Sequence, residues 1–204
     1  PEDVYRTMLD PNECRDEAEA ARYYLNRSMA GSDAWIAKPS VEAVETTEGL
    51  ERVDFDGEWF WMPPAGTSIS MGLDGSLNDD STVLRGCVME TGLRFTIGIW
   101  EKPEGAAGAG WEVPRSDVLG RFRWAMNRYR VSRAYCDPHE WRTDVDSLAA
   151  EFNPAEAAKA VVIPWATSRD TPMAAALDRL RVDILNKSTR QAKDAAVLIH
   201  YGNG

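Results

Sequence analysis

The chain has 204 residues, 44% of them hydrophobic, and a formal net charge of −10. That length suits one large domain with room for a small appendage, and the apolar share supplies a sizeable core. The charge argues mildly against nucleic acid as a partner without excluding it, because local patches outweigh totals.

No run of about 18 apolar residues occurs, so no membrane-spanning helix is expected. No basic-then-apolar leader opens the chain, so no secretory signal is expected either. The chain begins at Pro1, which points to a fragment or a processed product. Cys14, Cys87 and Cys136 show no metal-ligand or redox spacing and read as free or buried thiols in a reducing compartment. His139 and His200 are the only histidines, which argues against a histidine-rich zinc site.

Glu13 to Asn26 reads as a helix, with Ala18, Ala21, Tyr24 and Leu25 roughly on one face and Asp10-Pro11 as its start signal. A loop to Trp35 and an acidic stretch of weak periodicity, Glu42 to Glu58, follow. Trp59, Phe60, Trp61 and Met62 form a bulky knot, core or docking patch, closed by Pro63-Pro64. The Pro-Pro-Ala-Gly run marks a boundary. The expected layout is a connector over residues 1–65 and a main domain over residues 66–204.

From Thr67 the pattern tightens. Ile69 to Leu73, Thr82 to Met89 and Arg94 to Trp100 read as strands, with Thr91-Gly92 turning between the last two. Gly105 to Gly110 is a small-residue loop. Ser116 to Arg130 reads as a helix with Val118, Phe122, Met126 and Tyr129 as its apolar stripe. Val131 to Cys136 is a strand, Trp141 to Phe152 a helix, Ala160 to Trp165 a strand and Met173 to Leu185 a helix. The order β-β-β-α-β-α-β-α predicts an α/β fold: a ribonuclease H-like mixed sheet flanked by helices, with a small helical and irregular extension at the amino terminus. In that arrangement the first and fourth strands are neighbours.

Both strands end in an aspartate, Asp74 and Asp137. The carboxyl edge of an open α/β sheet is where ligands bind. Two carboxylates meeting there repel unless a divalent cation lies between them, and hard Mg²⁺ or Mn²⁺ takes such oxygen ligands. Two ions about 3.5–4 Å apart clamp the attacking and leaving oxygens of an in-line displacement at phosphorus. Asp74 and Asp137 are the expected catalytic and metal residues. Bridging two ions takes a third acid, for which Asp80, Asp178, Asp183 and Asp194 are candidates, with Asp80 and Asp194 preferred. Each acid also has a plainer role open to it: Asp74 in a strand-end turn, Asp79-Asp80 at a polar hairpin tip, Asp137 as the N-cap of the next helix. Ser76 is placed to donate to a phosphate oxygen, and His139 and Glu140 either assist or begin the helix. Arg115, Arg121, Arg123, Arg128, Arg130 and Arg133 accompany a single acid, Asp117, and read either as a solvated face or as a DNA-binding surface, with Arg121, Arg123, Arg128 and Arg130 as the contacts.

The whole resembles the nuclease domain of a tailed-phage terminase large subunit. Gly72-Leu73-Asp74-Gly75-Ser76 with Asp80-Ser81-Thr82 is similar to the family's first metal aspartate. Trp111-Glu112-Val113-Pro114 and Tyr135-Cys136-Asp137-Pro138 resemble the segments around its second. Met173 to Leu180 resembles a later helix, and His200-Tyr201-Gly202-Asn203 a His-x-Gly-Asn element near the family's carboxyl end. Upstream, Arg22 to Asn26 and Asp33 to Ile36 look like the connector after an ATPase domain. The resemblance implies a metal-dependent endonuclease that cuts concatemeric double-stranded DNA in the cytoplasm of an infected host. It also implies an ATPase domain, a small terminase subunit and a portal as partners. The phosphate-binding loop G-x-x-x-x-G-K-[ST] is absent from these residues, so ATP hydrolysis is not expected of them. In relatives the third acid often follows the His-x-Gly-Asn element, which puts it beyond Gly204. Rival readings are another ribonuclease H-like nuclease or recombinase, an actin-like phosphotransferase, for which no internal repeat is seen, and a non-catalytic docking module of the packaging machine.

Overall fold

Alternation of small polar and large apolar residues builds the central strand. In Ser68–Asp74 (β4) Ile69, Met71 and Leu73 are buried, while Ser68, Ser70 and Gly72 face the more open side. The computed structural model describes residues 35–77, 81–168 and 170–197. It divides into two units, residues 44–194 and residues 1–43 with 195–204. Of the latter the described part includes a short helix, Lys38–Glu42 (α1), with proline in its first turn. The helix expected over Glu13 to Asn26 lies outside the described residues.

The larger unit carries a mixed seven-stranded sheet in the order β1-β9-β6-β5-β4-β7-β8. Its strands are Glu45–Thr46 (β1), β4, Thr82–Val88 (β5), Arg94–Trp100 (β6), Arg130–Cys136 (β7), Val162–Pro164 (β8) and Gln191–Ala192 (β9). β4, β5 and β6 form the antiparallel meander; β7 lies parallel to β4, and β8 parallel to β7. This is the ribonuclease H-like arrangement the element order predicts. Arg115–Arg128 (α2), Arg142–Phe152 (α3) and Asp170–Leu185 (α4) follow β6, β7 and β8.

One core unites the elements. Val118, Phe122 and Ala125 of α2 and Val145 and Leu148 of α3 join Ile69, Met71, Leu73, Leu84, Ala134 and Cys136. Full burial of such a side chain contributes about 1.5–3 kcal/mol.

The acidic stretch without clear periodicity holds a hairpin, Glu51–Phe55 (β2) and Glu58–Met62 (β3), paired antiparallel. Asp56 and Gly57 both take positive φ in the two-residue turn, the geometry an Asp-Gly pair favours. Phe60 and Met62 of the tryptophan-rich knot are buried, whereas Trp59 is exposed. Phe55 meets Trp124 edge-on, ring centroids 4.8 Å apart, so the hairpin docks on α2. Pro63-Pro64 lies within the larger unit, residues 44–194.

Candidate functional site

The parallel register of β4 and β7 runs to Leu73 opposite Cys136. It continues one step further, because the Asp137 amide donates to the Leu73 carbonyl at 2.9 Å. Asp74 and Asp137 therefore leave the sheet side by side, at the ends of strands spaced about 4.8 Å apart. Asp74 is exposed; Asp137 is buried at 6% exposure.

Asp137 Oδ1 accepts the His139 amide at 2.9 Å. Oδ2 accepts the Thr167 amide at 3.2 Å and the Thr167 hydroxyl. Burial opposes ionisation, but these three donors outweigh it, the hydroxyl foremost, and the carboxyl titrates below its ordinary range. Thr167 lies 30 residues away in sequence, in the loop after β8, and nothing local marks it. Asp137 is not the N-cap of α3: that helix begins at Arg142, and its preceding residue, Trp141, makes no side-chain cap.

The turns after the two acids pack on each other. A β-carbon built on Gly75 would stand 2.6 Å from Trp141 Cδ1 and nearer still to Nε1. Trp141 is fully buried. The Arg115 guanidinium lies 4.5 Å from the centroid of its ring, pairs with Asp144 and donates to the Glu140 carbonyl at 2.9 Å. On the other side of Gly75, the Ser76 amide donates to Thr82 Oγ1 at 3.1 Å, and that hydroxyl donates back to the Ser76 carbonyl at 3.0 Å. Both turns are thus fixed to the body of the domain.

The donor chemistry fits a hard divalent cation: two carboxylates at one rim, one of them held ionised, each oxygen with more than one lone pair. Among the described residues, no three His, Cys, Asp or Glu side chains come together as an ion-holding group. Asp80 lies outside the described residues. Asp194 follows β9, three strands from β4 and so about 14 Å across the sheet; its charge acts on Glu58 instead. Asp178 is exposed on α4, and Asp183 pairs with Arg179 at 2.9 Å.

The expected arginine face is largely engaged within the protein. Arg121 is buried, donates to the Ile97 carbonyl at 3.0 Å, pairs with Glu58 and stacks 3.5 Å from the Phe55 ring centroid. It is a structural residue of the α2 interior, not part of a solvated face. Arg123 pairs with Glu151 at 2.8 Å and Arg128 with Glu51. Arg130 opens β7, at the end opposite Asp137 and about 20 Å from it. Two open cavities of about 310 Å³ lie at that far end, one lined by Thr67, Ser68 and Arg130 and the other by Leu50, Pro64 and Arg190. Neither includes the aspartates.

No protein-family profile matches the chain. It is 32% identical over 151 residues to the Gene 13 protein of Mycobacterium phage L5 and 29% identical over 155 residues to that of phage D29. Each alignment takes in 74% of this chain, which spans about a quarter of those relatives' length, 24%. In three dimensions the chain shares the fold of the large terminase nuclease from thermophilic phage G20c, with TM-scores of 0.55 and 0.56 against two crystal structures, one with bound zinc. Those matches cover 81% and 80% of this chain and 85% and 78% of theirs, at 13% and 15% identity.

Proposed function

We propose that the chain is the nuclease domain of a phage terminase large subunit, a metal-dependent endonuclease acting on double-stranded DNA. The observation that carries this reading is the meeting of Asp74 and Asp137 at one sheet rim, tied by the Asp137 amide to Leu73. The shared fold with the G20c terminase nuclease and the sequence likeness to two phage proteins support it.

In this reading Asp74 and Asp137 hold Mg²⁺ or Mn²⁺ at the rim. A divalent cation there supplies positive charge to the reacting phosphate and makes water more acidic. Thr167 and the His139 amide keep the Asp137 carboxylate ionised and aimed, so it needs no reorientation when the substrate arrives. Gly75 and Trp141 hold the two following turns in fixed relation. A two-ion site needs a third acid, which we assign to Asp80, five residues after Gly75 in sequence. The role is cleavage of concatemeric DNA in the infected host's cytoplasm, with an ATPase domain, a small subunit and a portal as partners. Arg123, Arg128 and Arg130 remain candidates for contact with the DNA backbone outside the site.

The test is nicking of supercoiled plasmid. Wild-type chain is expected to nick in Mn²⁺ or Mg²⁺ and not in EDTA, and Asp74→Asn and Asp137→Asn are each expected to abolish nicking while remaining folded. Full activity in a folded Asp137→Asn chain would remove the two-acid mechanism, and a wild-type chain that binds neither metal nor DNA would favour the docking-module reading.

A further inference from the structure

Gly72 lies two residues before Asp74 on β4, on the same face and about 7 Å back from the rim. Its register partners are Arg85 on β5 and Tyr135 on β7. No described atom lies within 4 Å of the position a β-carbon would take on Gly72. The sheet face is therefore notched here, with a guanidinium-bearing residue on one side and a phenol ring, 41% exposed, on the other.

Arg85 Nη2 is buried and has no hydrogen-bond partner among the described residues. A buried charged donor left unpaired is costly, and a phosphate oxygen is the acceptor a guanidinium suits best. The neighbouring charges on this face are arginines, with Asp183 set against Arg94. Arg133 pairs in register with Ser70, one step further back, and Cys87 on the same face feels both Arg94 and Arg85. On β4 this face reads Ser68, Ser70, Gly72 and Asp74, with no acid before the rim. Arg85 and Arg133 thus follow one another along this face behind the candidate metal acids.

The geometry points to a seat for a DNA backbone phosphate over Gly72, between Arg85 and Tyr135, one step along the strand from the phosphate at Asp74 and Asp137. This rests on the nuclease reading above and adds to it the path the strand takes into the site. The half-buried Arg85 side chain turns its guanidinium out to the neighbouring phosphate, the missing side chain at Gly72 lets the backbone approach the sheet, and Tyr135 flanks the sugar. Register is then set before the reacting phosphate reaches the rim.

The experiment measures binding of a labelled duplex against salt, without divalent cation, for wild type, Arg85→Gln and Gly72→Val, alongside Mn²⁺-dependent plasmid nicking and thermal midpoints. Arg85→Gln is expected to weaken binding roughly tenfold and to lower the salt slope by about 1. Gly72→Val, which keeps the arginine but fills the notch, is expected to weaken binding comparably. Unchanged affinity and slope in folded Arg85→Gln would overturn the seat while leaving the nuclease reading intact, because wild type would still nick. A wild type that neither binds nor nicks would overturn both. Should Gly72→Val fail to fold, Arg85→Gln decides alone.

Discussion

Gly75 and Trp141 are in contact, each in the turn that follows a strand-end aspartate. The contact leaves no room for a β-carbon on Gly75. It joins two chain segments more than sixty residues apart into one rim.

Gly75→Ala is therefore expected to lower unfolding free energy by about 1–3 kcal/mol through overpacking. Trp141→Leu makes space, so the double variant is expected to lose less than the sum of the two single losses. Urea unfolding of the four proteins in the cycle measures the coupling, and strict additivity would show that the turns do not press on each other.

Arg121 supports the same body of structure from the α2 side. Arg121→Ala removes its bond to the Ile97 carbonyl and its stack on Phe55. A loss of about 1.5–3 kcal/mol is expected, as for hydrogen bonds to a charged group. DNA affinity and its salt slope should stay as in wild type. A lowered slope with unchanged stability would return Arg121 to the DNA-contact surface.

Much of the sheet was legible because β4 to β7 obey strict alternation or carry apolar runs bounded by turn residues. The hairpin β2–β3 was not, because its first strand is largely exposed and acidic; its Asp56-Gly57 pair was the signal that could have found it. β1 and β9 have two residues each, too short for any period. Arg121 reads from its charge as part of a solvated or DNA-binding face, yet it sits three residues after Val118 and four before Ala125, inside the helix's buried stripe. The two rim acids were visible from sequence because each ends an apolar strand. Thr167, which holds one of them, was not, since only tertiary structure brings a loop threonine to a carboxylate 30 residues back.

Asp137 links folding to acidity. Its carboxyl is lowered in the folded chain, against burial, by Thr167 and the His139 amide. The stabilisation this supplies is fully present above the unfolded value of about 4 and is lost as pH falls through the lower folded value. Thermal midpoints between about pH 6 and pH 3 should fall less steeply in Asp137→Asn than in wild type. Parallel curves would mean that the threonine and amide contacts do not favour the ionised form.

Cys136 precedes that acid, fully buried, its thiol pushed up to about 12 by burial. The thiolate is the reactive form. Native chain treated with iodoacetamide near pH 8 is expected to leave Cys136 unmodified, with labelling appearing only in denaturant. Mass spectrometry of the peptide checks this, and rapid native labelling would show that β7 opens locally.

Because the Asp137 amide closes on Leu73 past the last paired residue of β7, the gap between the two acids belongs to the ladder and not to the loops around it. Loops beside the rim can lengthen or shrink without moving the two backbones apart, so long as Thr167 and the Gly75–Trp141 contact are kept. Descendants of such a scaffold are free to diversify what they admit while inheriting the same pair of jaws.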